Sequence, residues 1–372
     1  QSSVDPKILL GVGGHVILDS LKVTWPEGRI TTLYQVKTNQ LLQLDEANAT
    51  AKSAPTPPAK QSPLILAQNP FEYTHVENEF IDFDRERLLI EMYQNEGPAM
   101  TMADVNGDGK EDVFIGGSKD ISARLYLSNG NRYQLSSQAT FEADKISEDA
   151  SAVFFDANAD GHIDLYVTSG GRAFSRSSSA LMDRLYLNDG QGNFSKSPSP
   201  LPFTNYFSTS TVAAGDFDGD GDLDLFIGER FDPFYYGEAG RGFIFENDGR
   251  GNFKDVTQTV AAELLKVGMI TSSSWTDVDQ DGDLDLIVAG DWMPVTLYEN
   301  NNGRLTRSNR LAPLRGWWHT LHVADVDGDG DMDIVAGNHG ENTFLKPGTR
   351  MYMHDFDQNG TKEQIFCEPI NG

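Results

Sequence analysis

The feature that most constrains the fold is a short acidic pattern that recurs six times along the chain. The pattern is D-x-[DN]-x-[DN]-G-x-x-[DE], and its copies, numbered loop one to loop six, begin at Asp104, Asp156, Asp216, Asp277, Asp325 and Asp355. Successive copies begin 52, 60, 61, 48 and 30 residues apart. A repeat of this period indicates a chain built from similar supersecondary units placed side by side.

Short apolar segments flank the acidic copies. The segments VFIGG, LYVTSGG, LFIGE, LIVAG and IVAGN follow the first five copies, and a short run with small residues precedes most of them. These segments are too short for helices and are rich in β-branched and aromatic residues. Each copy therefore predicts a strand, a tight acidic loop and a second strand.

A second repeated element lies between the acidic loops. It occurs as LYLSNGNRYQL (125–135), LYLNDGQGNF (185–194), IFENDGRGNF (244–253) and LYENNNGRL (297–305). Asn-Gly and Asp-Gly favour the positive φ angles of tight hairpin turns, so each period holds two hairpins, or four strands. Radially repeated four-stranded units make a β-propeller, whereas no period has room for the crossover helix of a parallel α/β fold. We therefore predict an all-β β-propeller of four-stranded blades.

The acidic loops carry the oxygen ligands that calcium prefers. Side chains at positions 1, 3 and 5 of such a loop can point at one centre, glycine at position 6 permits the turn, and a carbonyl at position 7 and a carboxylate at position 9 complete the shell. In loops one to three these positions are Asp104, Asn106, Asp108, Lys110, Asp112; Asp156, Asn158, Asp160, His162, Asp164; and Asp216, Asp218, Asp220, Asp222, Asp224. In loops four to six they are Asp277, Asp279, Asp281, Asp283, Asp285; Asp325, Asp327, Asp329, Asp331, Asp333; and Asp355, Asp357, Asn359, Thr361, Glu363.

Other interpretations of the loops are disfavoured. An EF-hand also opens with D-x-D-x-D-G, but it closes with glutamate at position 12 and lies between helices. Zinc prefers nitrogen and sulfur ligands, and these loops offer mainly oxygen. Six solvated acidic turns remain the alternative to six calcium sites. Since a catalytic site normally occurs once, loops that recur in every unit are predicted to stabilise the structure.

The charge balance excludes two classes of partner. The chain has 29 Lys and Arg against 56 Asp and Glu, a formal net charge of −27. Such a chain repels nucleic acid and anionic membrane surfaces. No apolar run approaches the length of a membrane-spanning helix, so no membrane insertion is expected. The single cysteine, Cys367, excludes an intramolecular disulfide and is expected to be a buried thiol.

Composition divides the chain into three zones. Residues 1–46 carry short β-type runs and are predicted to form a small partial β domain. Residues 47–63 (ANATAKSAPTPPAKQSP) have the composition of a semi-extended linker. Residues 64–372 contain the repeats and are predicted to form the propeller. Because the chain begins at Gln1 without methionine, we expect it to be a fragment from which any signal peptide is missing.

The repeated loop followed by LFIG or IVAG resembles the FG-GAP/VCBS repeats of integrin-α-like propellers, over about residues 75–372. The segment HVENEFIDFDRERLL…EGPAMTMADVNGDGKEDVFIGG (75–117) is more narrowly similar to bacterial VCBS proteins that also carry an ASPIC/UnbV domain. Residues 1–44 (QSSVDPKILLGVGG…LDSLKVTWPEGRITTLYQVKTNQLLQL) resemble the C-terminal half of that domain.

This resemblance implies a calcium-stabilised, exported propeller of the extracellular space or bacterial cell surface, with an adhesion or ligand-binding role. Two departures from the family pattern matter. The ASPIC/UnbV-like part lacks its beginning, and the last interval of 30 residues is too short for a full blade. We therefore expect five complete blades and a partial unit, truncated at the C-terminal end, instead of the seven blades of integrin propellers.

An aromatic and polar cluster is a candidate ligand-binding surface. It comprises Trp292, Trp317, Trp318, His319, Asn338, His339 and Asn342, in the segments GDWMPV, GWWHT and GNHGENT. Tryptophan faces with Asn and His donors could hold a sugar or a peptide. The alternative is that the tryptophans pack between blades while the polar groups cap turns.

No motif in the chain supports catalysis. The histidines are scattered and no G-x-S-x-G sequence is present, although the many acidic residues leave a carboxylate pair open. We therefore predict a binding or adhesion module for a protein or glycan ligand. The alternatives are a purely structural or assembly scaffold, and an enzyme acting on polysaccharides.

Overall fold

The computed structural model describes residues 11–25, 28–49, 51–52, 72–94, 97–340, 343, 345–346 and 348–369. The chain divides into two compact units, Gln1–Asn69 and Pro70–Gly372. In the described part of the first unit, three antiparallel strands pair in the order β1 (Ile17–Thr24), β2 (Arg29–Lys37) and β3 (Ala51–Lys52), with a 3-10 helix at Glu46–Asn48. Trp25 Nε1 donates to Thr31 Oγ1 at 2.8 Å, which ties the end of β1 to β2.

The second unit contains four antiparallel sheets of four strands each, which confirms the predicted all-β fold. Blade one consists of β4 (Met100–Ala103), β5 (Asp112–Ile115), β6 (Arg124–Ser128) and β7 (Tyr133–Ser136). Blade two consists of β8 (Asp149–Phe155), β9 (Asp164–Ser169), β10 (Arg184–Asn188) and β11 (Phe194–Lys196). Blade three consists of β12 (Ser208–Gly215), β13 (Asp224–Phe231), β14 (Gly242–Asn247) and β15 (Phe253–Asp255). Blade four consists of β16 (Met269–Thr276), β17 (Asp285–Asp291), β19 (Thr296–Asn300) and β20 (Leu305–Arg307), and β18 (Met293–Pro294) pairs separately with β21 (Arg315–Gly316).

The two repeats that follow blade four have two strands each within the described residues. They are the hairpins β22 (Trp318–Ala324) with β23 (Asp333–Asn338) and β24 (Arg350–His354) with β25 (Glu363–Cys367). The sequence led us to expect a fifth full blade, but loops five and six begin only 30 residues apart. Because β24 starts 12 residues after β23 ends, this interval has no room for an outer hairpin.

In the described part of the second unit, helices are few and short. They are α1 (Asp82–Arg85), α2 (Ala139–Ala143), α3 (Thr257–Val260) and 3-10 turns at Ser179–Leu181 and Ala262–Lys266. None of the helices in the described part of the chain has the length and hydropathy needed to cross a bilayer.

Apolar clusters between adjacent sheets hold the blades together. Successive inner strands β4, β8, β12, β16 and β22 contact one another, so the sheets are arranged side by side around their first strands. The cluster between blades one and two includes Phe114, Leu125, Phe141, Leu165 and Tyr186. The cluster between blades two and three includes Tyr166, Leu185, Leu225 and Phe245. The cluster between blades three and four includes Phe226, Ile244, Leu286 and Tyr298. Burial of each such side chain stabilises the fold by about 2–3 kcal/mol.

Cys367 is exposed, which corrects the expectation of a buried thiol. It ends β25, a strand of a two-stranded sheet, and its neighbours along the strand alternate in exposure. Because β24 is the only strand that pairs with β25 in the described residues, no further strand covers the Cys367 side chain.

Candidate metal centre and central cavity

Position 1 organises each acidic loop. In loop one, Asp104 accepts the N–H of Asp108 at Oδ1, 3.1 Å, and the N–H of Gly109 at Oδ2, 2.7 Å. Gly109 has φ +81°, a conformation that residues with a Cβ rarely adopt. The hydrogen bond from the position-6 glycine to the position-1 carboxylate recurs in the other loops, at Asp156, Asp216, Asp277, Asp325 and Asp355, over 2.8–3.1 Å.

The side chain at position 5 fixes the second half of each loop. Its Oδ1 accepts the N–H of position 7 in all six loops, at Asp108, Asp160, Asp220, Asp281, Asp329 and Asn359. Position 7 itself varies in chemistry, since it is Lys110, His162, Asp222, Asp283, Asp331 or Thr361. In loop one, Lys110 Nζ lies 3.0 Å from Asp108 Oδ2, so a cation is already present beside that carboxylate.

The carboxylates at positions 1, 3 and 9 converge in loops three to six. In each loop, one ligand atom from each of the three residues lies within 4.8 Å of the others. The four groups are Asp216, Asp218, Asp224; Asp277, Asp279, Asp285; Asp325, Asp327, Asp333; and Asp355, Asp357, Glu363. Because oxygens on opposite sides of a calcium ion lie about 4.6–5.2 Å apart, these donor sets fit calcium. In loops one and two, Asn106 and Asn158 replace the carboxylate at position 3.

The position-9 aspartate of each complete blade is buried and connects its loop to the third strand. Asp224 accepts the N–H of Phe217 at Oδ2, 3.2 Å, and the N–H of Asn247 at Oδ1, 2.8 Å. The same pair of hydrogen bonds is made by Asp112, Asp164 and Asp285. Burial raises the pKa of Asp164 to about 6 and of Asp224 to about 7. A cation nearby would favour the charged form of these carboxylates.

Asparagines at the end of the third strand join neighbouring blades, a role that the sequence analysis missed. Asn247 Nδ2 donates to Ala157 O in the preceding blade's loop, 2.9 Å, and to Leu223 O in its own loop, 3.1 Å. Asn188 and Asn300 make the equivalent pairs of bonds. The available signal was the Asn shared by LYLND, IFEND and LYENN, which we had interpreted only as part of a hairpin turn.

A cavity of about 440 Å³ lies at the opposite end of the inner strands from the acidic loops. The loops follow the last residues of the inner strands, whereas the cavity is lined by residues from near their first positions, including Asp149, Ala150, Ser208, Thr209, Thr271 and His319. Glu148 also lines it, and burial raises the pKa of this carboxyl group to about 7. The cavity walls thus carry carboxylate and hydroxyl groups beside apolar surface from Ala150 and Phe231.

The aromatic cluster is only partly brought together. Trp317 is buried, stacks on His339 with ring centroids 4.5 Å apart, and lies 5.5 Å from Trp292, whose Nε1 donates to Tyr236 Oη. His319 Nε2 lies 3.2 Å from His339 Nδ1. Trp318 packs instead in the core between blade four and β22–β23, and Asn338 is exposed beside Gly340. Asn342 lies outside the described residues.

Comparison with known protein families agrees with this architecture. A model described as FG-GAP-like repeat matches residues 104–167, 156–227 and 277–336, and a model described as ASPIC and UnbV matches residues 1–51. No curated protein matches the chain significantly. The three repeat matches begin at the first residues of loops one, two and four. The chain is therefore an FG-GAP repeat protein with an ASPIC and UnbV region at residues 1–51, as the sequence analysis expected.

Proposed function

We propose that this protein is a calcium-stabilised, extracellular β-propeller that works as a binding module for a protein or glycan ligand. The observation that carries the proposal is the convergence of three carboxylates within 4.8 Å in each of loops three to six. FG-GAP repeats form propeller-like modules often used for binding and are commonly extracellular, which supports a binding role over a catalytic one.

Calcium would act on the free energy of unfolding. Without a cation, the negative charges at positions 1, 3 and 9 repel one another in the folded state, where the loop holds them together. An ion that binds only the folded state adds RT ln(1 + [Ca]/Kd) for each site. The loops join the first two strands of each unit, so the added stability is distributed along the whole propeller.

Thermal unfolding with and without calcium tests this proposal. We expect excess EDTA to lower the melting temperature and added calcium to restore it, and calorimetric titration to give several sites per chain. The variant Asp218→Ala removes one ligand from loop three at an exposed position. It should lower the calcium stoichiometry by one.

The matched control is Glu263→Gln, which removes an exposed charge outside the loops. This variant should keep the wild-type stoichiometry and the wild-type response to EDTA. A melting temperature that EDTA leaves unchanged would contradict the calcium proposal, and so would equal stoichiometry for wild type and Asp218→Ala.

The ligand-binding part of the proposal concerns the central cavity. Its volume of about 440 Å³ lies within the range of small-ligand pockets, which is about 300–1,000 Å³. Ala150 is exposed to this space, so Ala150→Phe would fill it without removing a polar contact. A glycan array and an extracellular-protein interaction screen should identify a ligand that binds wild type but not Ala150→Phe.

Ala262→Phe adds the same ring at an exposed site away from the cavity and should bind the ligand normally. Equal binding by both variants would place the ligand elsewhere on the propeller. No ligand in either screen would favour the scaffold role instead.

A further inference from the structure

A group of metal-ligand side chains lies outside the acidic loops. It consists of Glu91, from the segment that precedes blade one, His319 in β22, and His339 just after β23. One ligand atom from each residue lies within 4.8 Å of the others. No repeat motif includes these residues, and they reach one place only because the chain brings three separate segments together.

The two imidazole rings have the separation that a bound metal requires. His319 Nε2 and His339 Nδ1 lie 3.2 Å apart. Two nitrogens each about 2.0–2.1 Å from a tetrahedral zinc ion would lie about 3.3 Å apart. A direct hydrogen bond between the rings has a similar length, so the Glu91 carboxylate within the same 4.8 Å group is the observation that favours a metal.

Packing holds both rings in this arrangement. The buried indole of Trp317 stacks on the His339 ring at 4.5 Å between centroids, and its centroid lies 6.1 Å from that of the His319 ring at an interplanar angle of 29°. The N–H of His339 donates to Trp317 O at 2.8 Å, which fixes the backbone at the end of β23. Rings restrained in this way lose little conformational freedom when they bind an ion.

The donor set distinguishes this group from the acidic loops. Two imidazole nitrogens and one carboxylate suit zinc and its neighbours in the transition series, whereas the loops offer only oxygen and suit calcium.

We propose that Glu91, His319 and His339 form a binding site for a zinc-type divalent transition-metal ion. Three protein ligands leave the fourth position of a tetrahedral ion open to water or another ligand. His319 also lines the cavity of about 440 Å³, so an ion held by this side chain would lie at the edge of the cavity. The bound ion would then attract an oxygen or nitrogen atom of a ligand held there.

The test uses the full chain without a histidine tag, in excess calcium so that the acidic loops are filled. Titration with Co²⁺ should give one tight equivalent with the visible absorption of a tetrahedral ion, and Zn²⁺ should displace it. His319→Ala and His339→Ala should each weaken Zn²⁺ binding at least about 100-fold, because losing a supporting residue alone costs 10–100-fold. His322→Ala, which removes an exposed histidine from the same strand, should leave the affinity unchanged.

Glu91→Gln provides a second variant with little change in shape, so a folding defect in a histidine variant leaves the site testable. Circular dichroism and melting curves would confirm that each variant is folded. The proposal is overturned if Co²⁺ gives no tetrahedral spectrum, or if folded His319→Ala, His339→Ala and Glu91→Gln bind Zn²⁺ like wild type. Because calcium is saturating throughout, these outcomes do not depend on whether EDTA changes the melting temperature.

Discussion

The position-9 aspartates show how one residue could combine the proposed calcium-binding role with a structural one. Asp224 is 1% exposed and its two oxygens accept backbone N–H groups from the loop and from the third strand. Each oxygen retains a lone pair that could face an ion. In loop five, Asp333 is exposed and accepts the N–H of Val326. Loops three and five share the same sequence pattern. Their position-9 aspartates differ in burial because a third strand lies beside loop three, whereas none is described beside loop five.

Glu148 carries a prediction about pH at the residue scale. Its Oε2 accepts hydrogen bonds from Asn78, Gln94 and Lys119, yet burial dominates and raises its pKa to about 7. The ordinary value is about 4.3, so the folded protein holds this proton more tightly than the unfolded chain. The stability that the proton contributes is present below pH ~4.3 and is lost as pH rises through ~7.

We expect Glu148→Gln to remove this dependence. The amide oxygen of Gln can occupy the position of Oε2, so the variant should be about 1–3 kcal/mol more stable than wild type at pH 8. The difference should vanish near pH 4.5. Urea unfolding of both proteins at the two pH values measures it, with Glu263→Gln as an exposed control that should show no such trend. Equal stability at pH 8 would contradict the raised pKa.

At the scale of elements, the asparagines Asn188, Asn247 and Asn300 connect each blade to the one before it. Each donates from Nδ2 to a carbonyl in the preceding loop and to a carbonyl in its own loop. In blade one the equivalent position is Ser128, and no earlier blade is present in the described residues. The asparagine side chain therefore links adjacent acidic loops to each other as well as to the end of its own third strand.

We predict that Asn247→Asp destabilises the fold by about 2–3 kcal/mol, because a carboxylate oxygen would face two carbonyl oxygens. The measurement is urea unfolding in EDTA, which excludes any contribution from bound calcium. Asn131→Asp changes an exposed residue of the turn between β6 and β7 and should cost much less. A similar loss for both variants would contradict the proposed link between blades.

Local sequence patterns predicted the strands and turns of the four complete blades. They could not predict hydrogen bonds between residues that are far apart in the chain. The strand segment of β14 and its turn follow from IFENDGRGNF alone. By contrast, Asn247 bonds Ala157, 90 residues away, and Glu148 accepts hydrogen bonds from Asn78 and Lys119, which are 70 and 29 residues away. Glu91 belongs to no motif, so sequence reasoning named His319 and His339 for a ligand-binding surface but missed the carboxylate beside them.

At the scale of the whole propeller unit, the segment that precedes blade one ties distant parts together. The Arg172 side chain, fully buried, lies between Asp82 and Glu86 and makes ion pairs with both. Glu86 also accepts the N–H of Tyr236, in the connection between β13 and β14 of blade three, and a hydrogen bond from Gln364 Nε2, in β25. One carboxylate thus joins blade two, blade three and the last hairpin, although these three parts are far apart in the sequence.

We predict that Glu86→Ala loosens the hairpin β24–β25 more than any complete blade. Removing one partner of a buried ion pair costs about 3–5 kcal/mol, and here Gln364 Nε2 also loses one of its two acceptors, keeping only Tyr236 O. Hydrogen exchange should therefore accelerate most at residues 350–367, while the strands of blades three and four keep their protection. Asp84→Ala changes an exposed carboxylate in α1, the helix that ends just before Glu86, and should leave exchange unchanged. Uniform acceleration across all blades would show that Glu86 supports global stability alone.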